Sequence, residues 1–260
     1  MRVTERFKEI LRYSSVLNAL IVRNLKGQYR YSYLGFAWQF ITPLIAVLLF
    51  YFLFTSLREN EMEDYWIYLC TGMFPFSFLN ISISGGNTFI SNAAMIKKIY
   101  FPREIYVLAK SISGLITFAI SYAAIVMLTI FSGHDMNIAG LAFIIPMMFL
   151  SFLFVYGMDL LLSSIVVYIR DLGYLVSALS KIVFWGTPIF YTTDNLTGAL
   201  ADAIWINPFT WYITSFQDCI YYAESPEIIT IVMCLIMALF IVMLGEFVFE
   251  RLNRGFAERL

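Results

Sequence analysis

The sequence predicts an all-α integral membrane protein: six transmembrane helices, an N-terminal interfacial amphipathic helix, and an outer re-entrant helical hairpin between spans five and six. Three observations predict it. Of 260 residues, 60% are apolar and only 13% charged, which leaves too little polar surface for a soluble domain. Six stretches approach or exceed the roughly 20 apolar residues needed to cross about 30 Å of hydrocarbon. Lys and Arg concentrate in alternate connections and acids in the others.

Residues 1–33 form a charged tail with Arg2, Arg6, Lys8, Arg12, Arg23, Lys26 and Arg30. No apolar core of signal-peptide length interrupts it, so it is expected to stay on the chain. Its end sets Arg23, Lys26 and Arg30 three and four residues apart, on one helix face beside Leu25, Tyr29 and Tyr33. A helix of this kind lies in the membrane interface with its cations at headgroup level. Those cations either anchor the helix or receive a lipid-linked phosphate arriving from the cytoplasm.

The first span is expected over 34–57, followed by an acidic connection with Glu59, Glu61, Glu63 and Asp64, and the second over 65–83. The next connection, 88–105, carries Lys97, Lys98 and Arg103, ends near Pro102, and is long enough for a short helix lying across the membrane face. The third span is 106–131. After it, Ser-Gly-His-Asp-Met-Asn, which contains the single His134, reads as a solvated turn. The fourth span, 138–167, and the fifth, 173–191, flank Arg170; the sixth is 228–249, followed by Arg251, Arg254 and Arg259.

Basic residues are retained on the cytoplasmic side of short loops. Both termini and the 88–105 connection are therefore expected inside, with the acidic loops outside. Residues 196–222 are apolar enough to suggest a seventh crossing, but that would carry the C-terminal arginines outward. Asn207-Pro208 also cuts the stretch into two pieces too short to cross as straight helices. It reads as a hairpin dipping into the outer leaflet, its irregular backbone covered by protein.

Polar residues inside the spans are candidates for function because burying them is costly. Asp159 and Lys181 fall at similar depth, and a buried ion pair is the economical reading; a substrate contact or solvation from a water-filled cavity are the alternatives. Lys110 lies close enough to the inner boundary to snorkel, and Glu246 is within reach of Arg251 or of the inner headgroup layer. Cys70, Cys219 and Cys234 show no spacing that argues for a disulfide. No His, Cys or carboxylate cluster has metal-ligand spacing, and the near-zero net charge does not suggest nucleic-acid binding. The phosphate-loop pattern is absent, since Gly85-Gly86 continues into Asn-Thr rather than Lys-Ser/Thr. Any nucleotide-driven motor is then a separate subunit docked on the inner loops, with 88–105 the most suitable dock.

Four stretches, RNLKGQYRYSYLGFAWQFITP (23–43), MIKKIYFPREI (95–105), YIRDLGYLVSALSKIVFWGTPIFY (168–191) and NPFTWYITSF (207–216), resemble the permease subunits of type-2 ABC exporters of polysaccharides such as O-antigen, capsule or teichoic acid. The tail GEFVFERLNRGFAERL (245–260) is also similar, so the resemblance runs from about residue 10 to the end. It implies a homodimer in the bacterial cytoplasmic membrane, two copies of a separate ATPase that holds ATP and Mg, and no cofactor on this chain. By the same resemblance Ile96, Lys97, Lys98, Ile99, Tyr100, Phe101, Pro102, Arg103 and Glu104 contain the coupling helix that sits in a groove of the ATPase. Arg23, Lys26 and Arg30 would gate a lipid diphosphate, and the outer hairpin would cap the path. Sugars stack their apolar faces on aromatic rings, which makes Tyr31, Tyr33, Phe36, Trp38, Trp205, Trp211 and Tyr212 candidates for a glycan path, although interfacial belts account for most such residues. A drug or lipid exporter is the alternative within the class. A membrane enzyme acting on polyprenyl phosphates would carry D-x-D or paired His and acids, and a channel or ion-coupled carrier several intramembrane acids; the sequence has neither set.

Overall fold

The structure, a computed structural model, describes residues 12–27, 33–57, 62–84, 86–98, 101–193 and 196–260. The described elements are helices α1 (Ser14–Gly27), α2 (Trp38–Leu57), α3 (Tyr65–Ile83), α4 (Thr88–Ser91), α5 (Ala93–Ile96), α6 (Glu104–Phe131), α7 (Ile138–Val166), α8 (Asp171–Trp185), α9 (Ala199–Ala203), α10 (Pro208–Ile220), α11 (Ile228–Leu252) and α12 (Phe256–Arg259), with single 3-10 turns before α2, between α9 and α10, and after α11.

Five of these, α2, α3, α6, α7 and α11, are long and apolar enough to cross a membrane. The fifth expected span differs. Its helix, α8, has 15 residues, about 22 Å at 1.5 Å per residue, short of about 30 Å of hydrocarbon. Gly186 caps it and Thr187 precedes Pro188, a position that disfavours helical backbone. The chain then runs irregularly to Tyr191 with its carbonyls satisfied by side chains: Tyr68 donates to Pro188 O (3.2 Å) and Tyr191 O (2.7 Å), Tyr65 to Phe190 O (2.9 Å), and Gln217 to Pro188 O (2.9 Å). Non-helical backbone survives in an apolar setting only when protein covers it in this way.

Helix α3 is the centre, buried along 78% of its apolar window and packed against α2, α6, α7 and α10. Lipid tails are as apolar as leucine, so helices in a bilayer associate through close packing and hydrogen bonds rather than through escape from water. Both are present. Phe78 stacks on Phe118 (ring centroids 5.1 Å), Tyr122 donates to Phe216 O (3.1 Å), and Tyr212 to Cys234 O (2.8 Å). Helices α7 and α11 approach backbone to backbone through two glycines: a Cβ on Gly157 would lie 2.6 Å from Val242 N, and one on Gly245 would lie 2.5 Å from Gly157 O. The 208–220 piece of the expected hairpin is not peripheral, for α10 is buried among α3, α7 and α11. Its Asn207 caps α10 through Phe209 N (3.0 Å) and reaches back to Thr187 Oγ1 (2.8 Å), holding the irregular 187–191 segment.

At one end of the bundle His134 joins three connections. Its ring meets Asp64 Oδ2 at 3.0 Å and Tyr221 O at 2.9 Å, and Tyr221 donates to Glu63 O at 2.9 Å. The reading of His134 as a solvated turn residue is thereby corrected.

Candidate functional site

The connection between α3 and α6 is built as a platform clamped at both ends. At its start Gly86 has φ +55°, and a Cβ there would meet Leu162 backbone at 3.0 Å, so the chain presses directly on α7. Two residues on, buried Thr88 opens α4 and donates to Asp159 (2.9 and 3.1 Å) while accepting from Lys110 (3.1 Å). Lys110 also pairs with Asp159 at 3.0 Å, and Ser163 donates to the same carboxylate at 3.0 Å. Asp159 is 0% exposed, and this set of donors is what allows a full charge to be buried there. At the far end Arg103 donates to Asn253 O and to its Oδ1 (2.6 Å), and lies over the Phe256 ring (5.6 Å). Phe101 and Glu104 are buried and Ile96 is half-buried, whereas Lys97 and Lys98 are exposed at the turn between the clamps. Ile99 and Tyr100 lie outside the described residues; Pro102 is half-buried.

The expected Asp159–Lys181 pair is corrected by this geometry. Lys110 sits six residues into α6 and Asp159 seven from the end of α7. In antiparallel helices those positions coincide in depth, so the signal for this pair is present in the sequence. Lys181 instead lines a separate cleft of about 420 Å³ with Asn80, Ser77, Phe184 and Trp185.

Helix α1 lies against the first turns of α6 because Val16, Leu17, Leu20 and Ile21 recur on one face and pack with Ile105, Tyr106 and Ala109. That docking turns Arg23 toward the platform. Its guanidinium donates to Asn92 Oδ1 (2.7 Å), and Asn92 in turn donates to Thr88 O (2.8 Å). The proposed gate cation is thus two hydrogen bonds from the Asp159 cluster, a connection through Asn92 that spacing arguments missed. Lys26 is exposed; Arg30 lies outside the described residues. Between α1, α2, α3, α4 and α6 is a cavity of about 730 Å³, bordered by Arg23, Asn92, Thr88 and Lys110.

The aromatic candidates separate. Tyr33 is fully exposed and Trp38 is exposed, Tyr31 and the side chain of Phe36 are outside the description, and Trp205 and Trp211 are half-buried against each other, ring centroids 4.6 Å apart, with Trp211 donating to Trp205 O at 2.9 Å. Tyr212 is corrected: it is completely buried in the core with its hydroxyl on Cys234 O, and presents no face to a path. Among the described residues no group of three His, Cys, Asp or Glu could hold a metal.

Residues 15–221 match the model of the family described as ABC-2 type transporter. The chain is similar to the O-antigen export system permease protein RfbA of Myxococcus xanthus, 25% identical over 256 residues, covering 97% of this chain and 98% of that protein. It is also similar to the O-antigen export system permease protein RfbA of Klebsiella pneumoniae, 27% identical over 240 residues and 92% of each chain. With a bundle of long apolar helices and a match over most of its length, the chain belongs to the ABC-2 type transporter family, as a membrane subunit rather than an enzyme.

Proposed function

We propose that this chain is the permease of an ATP-driven exporter that moves a lipid-linked polysaccharide of the O-antigen type from the inner to the outer side of a bacterial cytoplasmic membrane. The observation that carries it is the similarity to an O-antigen export permease over 97% of this chain and 98% of that protein. The platform of residues 86–103 supports the mechanism. Nucleotide-driven closure of a separate ATPase pushes on the exposed Lys97-Lys98 turn. The clamps at Thr88–Asp159 and Arg103–Asn253 deliver that push to α7, α6 and the C-terminal segment rather than letting the turn flex.

The positive-inside bias places both termini and Lys97-Lys98 in the cytoplasm. Helix α8 and the protein-covered 187–191 segment together make the fifth of six crossings, and α9–α10 forms the non-crossing hairpin. A second copy covers the faces that a single chain leaves open: α2 is buried along only 6% of its window, and Leu48, Leu49 and Phe52 of α2 and Leu175 and Ile182 of α8 are exposed. Arg23, Lys26 and Arg30 receive the lipid diphosphate; Tyr31, Tyr33, Phe36, Trp38, Trp205 and Trp211 are the path aromatics.

Replacing Lys97 and Lys98 together by Glu tests the dock. The variant is expected to insert at wild-type level and keep its fold, while co-purification of the ATPase and polymer export both fall by about tenfold or more, equivalent to about 1.4 kcal/mol of interface energy. Wild-type export from the variant would remove the turn from the coupling path.

A further inference from the structure

Helix α8 carries a lysine that its own bundle does not neutralise. Among the described residues no carboxylate pairs with Lys181: α3 beside it has no charged residue, and the one acid of α7, Asp159, is taken by Lys110. The faces on which a second copy is placed supply no acid at this depth either, since α2 has no charged residue and the one acid of α8, Asp171, is its first residue. Lys181 is exposed and stands ten residues into α8, about 15 Å along it. That is half of about 30 Å of hydrocarbon, too deep for a four-carbon stem to carry its ammonium to either boundary. A cation so placed lines a water-filled cavity or meets an anion.

The cleft of about 420 Å³ between α3 and α8 restricts what carries that anion. Its size falls in the range of about 300–1,000 Å³ typical of small-molecule sites. Asn80 lines it, and the buried Asn80 Oδ1 has no hydrogen-bond partner. An acceptor left in that state is unfavourable unless an occupant donates to it. Ser180 gives its own proton to Ser177 O (2.8 Å), so its oxygen offers a second acceptor. Phe76, Phe184 and Trp185 form a run of rings along the same cleft, with Phe184 centred 5.0 Å from Phe76 and 5.5 Å from Trp185. The occupant therefore combines an anion, hydroxyl donors and a ring face that packs on aromatic surface. An acyl chain lacks the first two, and a glycerol phosphate lacks the ring.

We infer that the α3–α8 cleft is a subsite for an acidic pyranose unit of the exported glycan, its carboxylate on Lys181 and its hydroxyls donating to Asn80 and Ser180. The assignment of the sugar to an exported polymer rests on the export reading above. Lys181 is then a specificity-determining residue: it favours polymers that carry uronic acid over neutral ones of the same shape.

The test places Ser180→Cys in nanodiscs and measures its rate of modification by N-ethylmaleimide, with the wild type as background for the buried Cys70, Cys219 and Cys234. Ser77→Cys, across the cleft on α3, is the second reporter if the first does not give a monodisperse protein. Methyl β-glucuronide and methyl β-glucoside differ only in the carboxylate, and the glucuronide is expected to protect the thiol at about tenfold lower concentration, the worth of one charge-assisted hydrogen bond. Lys181→Gln is expected to abolish that preference while leaving the weak protection by the glucoside, and Lys181→Arg to keep it. Glycerol 3-phosphate, an anion without a pyranose face, is expected to protect less than the glucuronide. Equal protection by the two glycosides, a preference that survives Lys181→Gln, or a thiol that faces lipid and stays unlabelled would each overturn the assignment. No preference in a chain on which surface polymer still depends overturns this inference alone. A preference in a chain whose deletion leaves surface polymer unchanged supports the site and overturns the export reading.

Discussion

Asp159 shows how much of a buried charge is readable from sequence. An acid in an apolar run is conspicuous, and its need for a partner follows from the cost of burying a carboxylate. Which cation answers it depends on which helices are neighbours, and that is set by packing. Lys110 looked able to reach the membrane surface, yet its ammonium turns inward to Asp159 and Thr88 at 3.0 and 3.1 Å. Removing one member of such a pair leaves an uncompensated charge, so Lys110→Met or Asp159→Asn alone should cost about 3–5 kcal/mol of stability. The double change, Lys110→Met with Asp159→Asn, should cost less than the sum. Chemical denaturation of the purified protein in detergent checks this; a strictly additive double variant would mean the two residues act separately.

Two helices coincide with apolar runs in the sequence. Helix α3 occupies the expected 65–83, and α7 ends within a residue of the expected limit. The miss at α8 came from counting apolar residues past Thr187-Pro188, where backbone geometry rather than hydropathy ends the helix. At α10 a different conflict is visible. Asp218 lies in its last turns, and burial, then the neighbouring Glu224 and Glu227, push its carboxyl up to about 7. A carboxyl whose folded pKa is raised above its unfolded value of 3.8 contributes stability below that value, and the contribution is lost as pH rises through about 7. Asp218→Asn should therefore raise the melting temperature at pH 8 by about 2–4 °C for each kcal/mol relieved and change little at pH 4. Thermal unfolding of both proteins at the two pH values measures it, and an equal shift at both would contradict the burial account.

Over the whole molecule, composition and charge asymmetry were enough for the class, because a bilayer imposes helices of fixed minimum length and an uneven distribution of Lys and Arg. The site was legible in part. Exposed Lys97-Lys98 and the Arg23 stripe stand out in sequence, but their linkage through Asn92 and Thr88 does not, since it depends on α1 folding back over a connection some 70 residues away. Likewise the open faces of α2 and α8 become visible only once the other helices are packed; in the proposed assembly a second copy covers them. The claim that joins these parts is export of a lipid-linked polysaccharide across the cytoplasmic membrane. Its most direct measurement compares cells with and without this chain, scoring polymer on the cell surface and lipid-linked polymer on the cytoplasmic side. The account predicts that without the chain the surface polymer disappears and the lipid-linked polymer accumulates inside, both reversed by restoring it; unchanged surface polymer would contradict it.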